Sequence, residues 1–92
     1  MKFITAYVSK TMSCKEFNPA TAFLILRNRG DDSEPPGGDV ELFLTTSDSN
    51  DTFLLRYGER EKFGPSKEGY TKICYKRSDG ADRKVRLDIH CF

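Results

Sequence analysis

Apolar and polar residues alternate over several short stretches of the chain, the pattern of a β-strand with one buried face. The clearest example is the run 85–91, where every second residue from Val85 to Cys91 is apolar. The residues between them, from Arg86 to His90, are polar. This spacing predicts a half-buried strand at the end of the chain.

A second alternating run, 70–76, precedes this strand, and the connection 78–82 contains the pair Asp79-Gly80. Asp-Gly is typical of the tight turns that join antiparallel strands. The last third of the chain is therefore predicted to form a β-hairpin.

Four more segments have strand signals, because each is short, apolar and bounded by turn-forming residues. They are 4–8, 22–26, 40–46 and 52–57. In no segment do apolar residues recur every 3.6 positions over three turns, the signal of an α-helix, although residues 13–17 or 59–62 would suit one helical turn. The pattern predicts an all-β protein, a small antiparallel β-sandwich of six to seven short strands, with a small OB-like β-barrel as the alternative.

The longest interruption is the segment 31–39, which contains two prolines, two glycines and four acidic residues. Proline and glycine in this density are typical of a loop. We expect an exposed acidic loop that joins two strands, and a single domain over residues 1–92, since domains typically contain about 100–200 residues.

Composition narrows the possible functions. The chain has 92 residues and is 37% hydrophobic, with seven Phe and four Tyr to build a small core. That length excludes a two-domain enzyme or a (β/α)8 barrel. No apolar run approaches the roughly 20 residues that span a membrane, and no secretory signal pattern is present. We expect a protein that is not exported through a signal peptide and does not bind membranes.

The three cysteines, Cys14, Cys74 and Cys91, form no Cys-x-x-Cys pair, and their number is odd. A disulfide framework in a secreted domain would have an even number. Reduced thiols in a cytoplasmic protein are therefore the expectation, with one disulfide as the alternative.

Charge is unevenly distributed, although the net charge is only +1. Residues 31–55 contain seven acidic and no basic residues, whereas 56–92 contain ten basic and six acidic residues. One interpretation is a solvated surface on which opposite charges neutralise one another across neighbouring strands. Another is that the two segments are binding surfaces that join copies of the chain head to tail. The acidic candidates are Asp31, Asp32, Glu34, Asp39, Asp48 and Asp51. The basic candidates are Lys72, Lys76, Arg77, Arg83, Lys84 and Arg86.

Catalytic and metal-binding patterns are missing from the sequence. The single histidine, His90, is two residues from Asp88, but no nucleophile motif accompanies the pair. Cys91 would point to the opposite face from His90. The cysteine spacing does not match zinc ligands, and the segment 48–51 lacks the glycine and the glutamate of a helix–loop–helix calcium site. The sequence predicts neither an enzyme nor a cofactor or metal site.

The order of features over residues 21–92 resembles that of a known group of proteins. A strand ends in Arg27-Asn28-Arg29-Gly30, a Gly-Glu segment occupies 58–65, and an apolar strand closes the chain at 85–89. This order resembles the small β-sandwich accessory proteins of bacteriophage particles, such as capsid decoration proteins and tail-associated modules. The resemblance implies a symmetric homo-oligomer, in the virion or the host cytoplasm, that binds a capsid or tail surface.

The leading functional hypothesis is accordingly a non-enzymatic structural or interaction module that binds a protein surface. A small phage-type inhibitor that contacts a host protein through its acidic loops is one alternative. An OB-like nucleic-acid binder that uses the basic segment 72–86 is another, although the small net charge disfavours nucleic acid.

Overall fold

Eight antiparallel strands form two four-stranded sheets in the computed structural model, which describes residues 2–92. The strands are β1 (Lys2–Val8), β2 (Ser13–Thr21), β3 (Leu24–Gly30), β4 (Val40–Thr46), β5 (Asn50–Leu55), β6 (Arg60–Phe63), β7 (Tyr70–Arg77) and β8 (Val85–Cys91). No helix occurs among these residues. The prediction of an all-β sandwich is confirmed, with eight strands in place of six or seven.

The strand order is β1-β8-β3-β6 in one sheet and β2-β7-β4-β5 in the other. Eight antiparallel strands in this order form a jelly roll, in which two Greek keys close over one core. The OB-like barrel is therefore not the arrangement observed. Sheet-to-sheet connections bring distant parts of the chain side by side, so that β1 and β3 both pair with β8.

One core fills the space between the sheets, and it is formed by the inward-facing residue of each alternating pair. Its fully buried side chains include Val8, Leu24, Leu26, Leu42, Leu55, Ile73, Leu87 and Ile89. Tyr75 also packs inside, two residues after the buried Ile73 of the same strand. The outward-facing residues of the same strands are left to form two sheet surfaces.

The predicted C-terminal hairpin is wrong, although both of its strands exist. β7 pairs with β2 and β4, whereas β8 pairs with β1 and β3. The segment between them crosses from one sheet to the other, and Arg77 N–H donates to the Ser9 carbonyl at 2.7 Å. A turn signal indicates that the chain changes direction, but it does not decide which strand becomes the neighbour.

The two segments for which a helical turn was considered are both in strands. Residues 13–17 lie in β2 and residues 60–62 lie in β6. β2 is an edge strand that is exposed over most of its length, so alternation is absent from its sequence. β6 has only four residues, too few for a period to be recognised.

A disulfide joins β2 to β7, where Cys14 lies directly opposite Cys74 with their Cα atoms 4.0 Å apart. The expectation of reduced thiols is therefore wrong for these two residues. Cys91 carries a free thiol and is buried in the core.

Candidate interaction surface

The outward face of the β1-β8-β3-β6 sheet carries four arginines, which we call the arginine face: Arg27, Arg29, Arg60 and Arg86. Their positions follow from strand alternation. In β3, Leu26 and Asn28 point into the protein, so Arg27 and Arg29 point outward. Neighbouring strands supply the other two arginines.

Strand register brings these side chains together. Arg27 lies opposite Arg60 on β6 and opposite Asp88 on β8. Residues opposite one another on adjacent strands have Cβ atoms about 4.5–5.5 Å apart. Arg86 belongs to the next row, opposite Tyr7.

Only one carboxylate, that of Asp88, faces outward among these strands. Its side chain is 10% exposed, accepts a hydrogen bond from Arg86 Nε at 3.1 Å and lies 3.6 Å from an Arg29 nitrogen. Among residues 2–92, neither Arg27 nor Arg60 takes part in an ion pair. The four arginines therefore exceed this carboxylate by three positive charges, and Lys62, opposite the outward-facing Ile25, adds a fourth to the face.

Aromatic side chains flank the arginines at one end of the sheet. The rings of Phe3 and His90 are 4.7 Å apart, and those of Phe23 and Phe92 stack at 4.5 Å. Phe3 is 52% exposed and Phe92 is 40% exposed. The surface therefore combines guanidinium groups with accessible rings.

Two open clefts lie on or beside this face. One of about 320 Å³ is bordered by Arg27, Arg60 and His90. The other, of about 550 Å³, lies at the corner between Tyr7, Arg29 and the 83–84 segment. The first cleft is lined mainly by basic side chains, so its chemistry favours anionic groups. The corner cleft also has Asp31 and Asp32 in its lining, so its charge is mixed.

The outward face of the other sheet is electrically balanced. Glu16 lies opposite Lys72, and Glu41 lies opposite Lys76. Charges of opposite sign on adjacent strands attract one another and leave little net field. The excess positive charge is therefore a property of one sheet alone.

The acidic candidate residues are dispersed, and three of them bond to groups of the same chain. The Asp31 side chain is 2% exposed and forms an ion pair of 2.7 Å with Arg77. Asp32 pairs with Arg83 at 2.6 Å, and the Asp39 carboxylate accepts from Tyr57 N–H at 3.0 Å. Asp32 is nevertheless exposed, as are the other three: Glu34 in the 31–39 loop, Asp48 in the β4–β5 turn and Asp51 on β5.

The basic candidate residues are also divided. Lys72 and Lys76 belong to the balanced face, and Arg77 is buried against Asp31 and Asp79. Arg83 and Lys84 are exposed at the corner cleft, where Arg83 already pairs with Asp32. The remaining basic candidate, Arg86, belongs to the arginine face.

Sequence reasoning missed Arg27, Arg29 and Arg60. A signal existed for the first two, because Arg27 and Arg29 are two residues apart and alternate with buried positions in β3. No signal pointed to Arg60, whose contribution depends on the pairing of β6 with β3.

The structure separates the groups considered for catalysis and metal binding. His90 points outward beside Phe3, whereas Cys91 is in the core. Residues 2–92 contain no group of three or more His, Cys, Asp or Glu side chains placed to hold a metal ion. In the same part of the chain, no helix is long and apolar enough to cross a membrane.

No protein-family model, curated protein or solved structure matches the chain.

Proposed function

We propose that this protein is a non-enzymatic interaction module that binds an acidic protein surface through the arginine face. The observation that carries this proposal is the placement of four arginines on one sheet surface with the single carboxylate of Asp88. Like charges so close together repel one another, and a partner that supplies carboxylates relieves this repulsion.

The residue types favour a protein partner. Arginine forms paired hydrogen bonds with carboxylates in a fixed geometry. Arginine and aromatic residues are also the types enriched at the centres of protein interfaces. Phe3, Tyr7 and Phe92 add accessible rings to the arginines.

The bacteriophage resemblance supplies a specific form of the proposal. The partner would be a capsid or tail protein, and the chain would act in the virion or the host cytoplasm. Jelly rolls occur in viral capsid proteins and also in lectins.

The inhibitor that contacts a host through acidic loops has less support, since Asp31 and Asp32 are paired with arginines of the same chain. A nucleic-acid surface on 72–86 has less support too, because Arg77 is buried and two lysines lie on the balanced face.

Fluorescence anisotropy with a labelled oligoglutamate peptide tests the proposal. The variant Arg27→Gln/Arg60→Gln should bind the peptide about tenfold more weakly, equivalent to roughly 1.4 kcal/mol. The control Arg56→Gln/Lys67→Gln removes the same charge from exposed residues outside the face and should bind like the wild type.

Equal losses in the two variants would show that net charge alone drives binding and would overturn the proposal. Tighter binding of an oligothymidine with the same charge would replace the protein partner with a single-stranded nucleic acid, whose bases can stack on exposed rings.

A further inference from the structure

Each sheet ends in two edge strands, and three of the four carry features that discourage pairing with another chain. β6 has only four residues, three of them charged. β2 contains Pro19, and its register with β7 shifts between Glu16 and Thr21. β5 carries the charged Asp51. Short edges, prolines, irregularities and charges are the usual ways of protecting an edge strand.

The one charged residue of β1 is Lys2 at its first position, and the stretch from Phe3 to Val8 has none of these features. This stretch contains no charged residue, no proline and no glycine. Its pairing with β8 is regular over seven residues, from Lys2 opposite Cys91 to Val8 opposite Val85. In the described part of the chain, β1 pairs with no strand other than β8.

The outward side of β1 also carries two large exposed rings. Phe3 is 52% exposed and Tyr7 is 64% exposed, with the exposed Thr5 midway between them. Exposure of so much aromatic surface to water is unfavourable. Pairing with a strand that covers these rings would therefore be favourable.

We infer that β1 is the contact between two copies of this chain, which pair antiparallel about a twofold axis at Thr5. Thr5 then lies opposite Thr5 of the second copy, and Phe3 lies opposite Tyr7 of the second copy, twice by symmetry. On the inner side, Ile4 lies opposite Ala6. Cross-strand aromatic pairs are stabilising. The contact is isologous, which means that both copies use the same surface, so the assembly is complete as a dimer.

The arginine faces do not oppose this pairing. Arg86 lies on β8, and its equivalent lies on β8 of the second copy, three strand spacings away. At about 4.8 Å for each spacing this is about 14 Å, longer than the Debye length of roughly 8–10 Å in physiological salt.

The dimer would join the two β1-β8-β3-β6 sheets into one sheet of eight strands. Both arginine faces would then lie on the same side, which gives a partner two equivalent contacts. The pairing of β1 involves none of the four arginines, and of the surface proposed above it uses only the rings of Phe3 and Tyr7. Loss of the dimer and loss of peptide binding to the arginines are therefore separate outcomes.

Sedimentation velocity over a range of protein concentrations tests the inference. The wild type should form dimers, and Thr5→Lys should be monomeric, because two lysines would face each other at the axis. The control Thr52→Lys places the same charge at an exposed position on β5 and should remain dimeric. Circular dichroism and thermal unfolding check that Thr5→Lys is folded.

A cysteine at the axis gives a second readout. Thr5→Cys should form a disulfide-linked dimer in mild oxidant, since opposed residues have Cα atoms about 4.5–5.5 Å apart, whereas Thr52→Cys should not. A wild type that stays monomeric up to its solubility limit would overturn the inference. So would a Thr5→Lys variant that still dimerises, or a dimer in which Thr5→Cys does not cross-link.

Discussion

Asn28 shows how one buried polar residue fixes the geometry around the arginine face. Its side chain is fully buried, and its amide nitrogen donates to the Gly38 carbonyl at 2.8 Å and the Leu55 carbonyl at 3.0 Å. Its side-chain oxygen accepts from Gly30 N–H at 2.8 Å. Asn28 therefore connects β3, the 31–39 loop and the end of β5, between two arginines of the face.

Replacing Asn28 with leucine should destabilise the protein by about 2–4 kcal/mol, because the change removes the side-chain partners of two buried backbone groups and one partly buried group. Urea unfolding measures the loss. The control Asn50→Leu removes an exposed hydrogen bond to Thr45 and should change the free energy of unfolding by about 0.5 kcal/mol or less. A similar small change for Asn28→Leu would show that its hydrogen bonds contribute little.

Gly30, two residues further along, is the residue that the turn after β3 requires. Its φ is +81°, in the region that favours glycine. A Cβ atom there would lie 2.6 Å from the Tyr57 ring. The Arg27-Asn28-Arg29-Gly30 sequence thus combines two outward charges, a buried anchor and a turn.

At the scale of elements, a cluster that we call the Arg77 latch holds the 31–39 loop against the end of β7. The Arg77 guanidinium donates to Asp31 at 2.7 Å, to Asp79 at 2.7 Å and to the Arg83 carbonyl at 2.8 Å. Arg77 from the basic segment thus neutralises Asp31 from the acidic segment, as Arg83 does Asp32.

The latch should make stability depend on pH. The Ser33 hydroxyl, together with Arg77 and the Ser33 and Gly37 amides, holds the pKa of the Asp31 carboxyl well below its usual range, against the opposing effect of burial. Because the folded-state pKa is the lower one, this stabilisation is present above the ordinary value of 3.8 and declines as the pH falls through the folded-state pKa.

Asp31→Asn should therefore be less stable than the wild type at neutral pH, and the difference should shrink as the pH falls below 3.8. Urea unfolding at several pH values measures this. Glu34→Gln, in the same loop with an exposed side chain, is the matched control and should follow the wild type. A difference for Asp31→Asn that is independent of pH would contradict the assignment.

The Cys14–Cys74 disulfide acts at the same scale, because it ties an exposed edge strand to the centre of its sheet. It links residues 60 positions apart. For a loop of this length, the chain-entropy treatment gives about 4 kcal/mol of stabilisation. A reductant should lower the urea midpoint of the wild type and leave that of Cys14→Ala/Cys74→Ala unchanged. A wild type that does not respond to the reductant would show that the link contributes nothing to stability.

At the scale of the whole molecule, the important property is that charge is sorted by sheet rather than by sequence segment. A positive face on a nearly neutral protein would attract an acidic partner without the nonspecific electrostatic binding of a highly basic chain. A partner of the proposed kind would be oriented by this face, because the opposite sheet offers no comparable field.

This arrangement should appear in binding kinetics. The association rate with the oligoglutamate peptide should fall as salt is added, while the dissociation rate changes less. Stopped-flow measurements should give a shallower salt dependence for Arg27→Gln/Arg60→Gln than for Arg56→Gln/Lys67→Gln. The same slope in both variants would indicate that the arginine face does not steer the partner.

The chain's own pattern determined most of the strands. Alternation and turn residues are local properties, and they correctly predicted β1, β3, β4, β5, β7 and β8 to within a few residues. They missed β2 and β6, because an exposed edge strand has no buried face to impose a period, and four residues are too few to show one.

Tertiary structure alone decided which strands became neighbours, and with them the surface. Pairing in a jelly roll joins residues far apart in sequence, so local signals cannot distinguish a hairpin from a crossing between β7 and β8. The same long-range pairing brought Arg60 and Arg86 to Arg27, joined Cys14 to Cys74, and moved Arg77 from a predicted surface into a buried ion pair. The sequence by itself determined where most of the strands form, because side-chain alternation is a local property. Packing of the two sheets determined which charged side chains remain exposed and available to bind a partner.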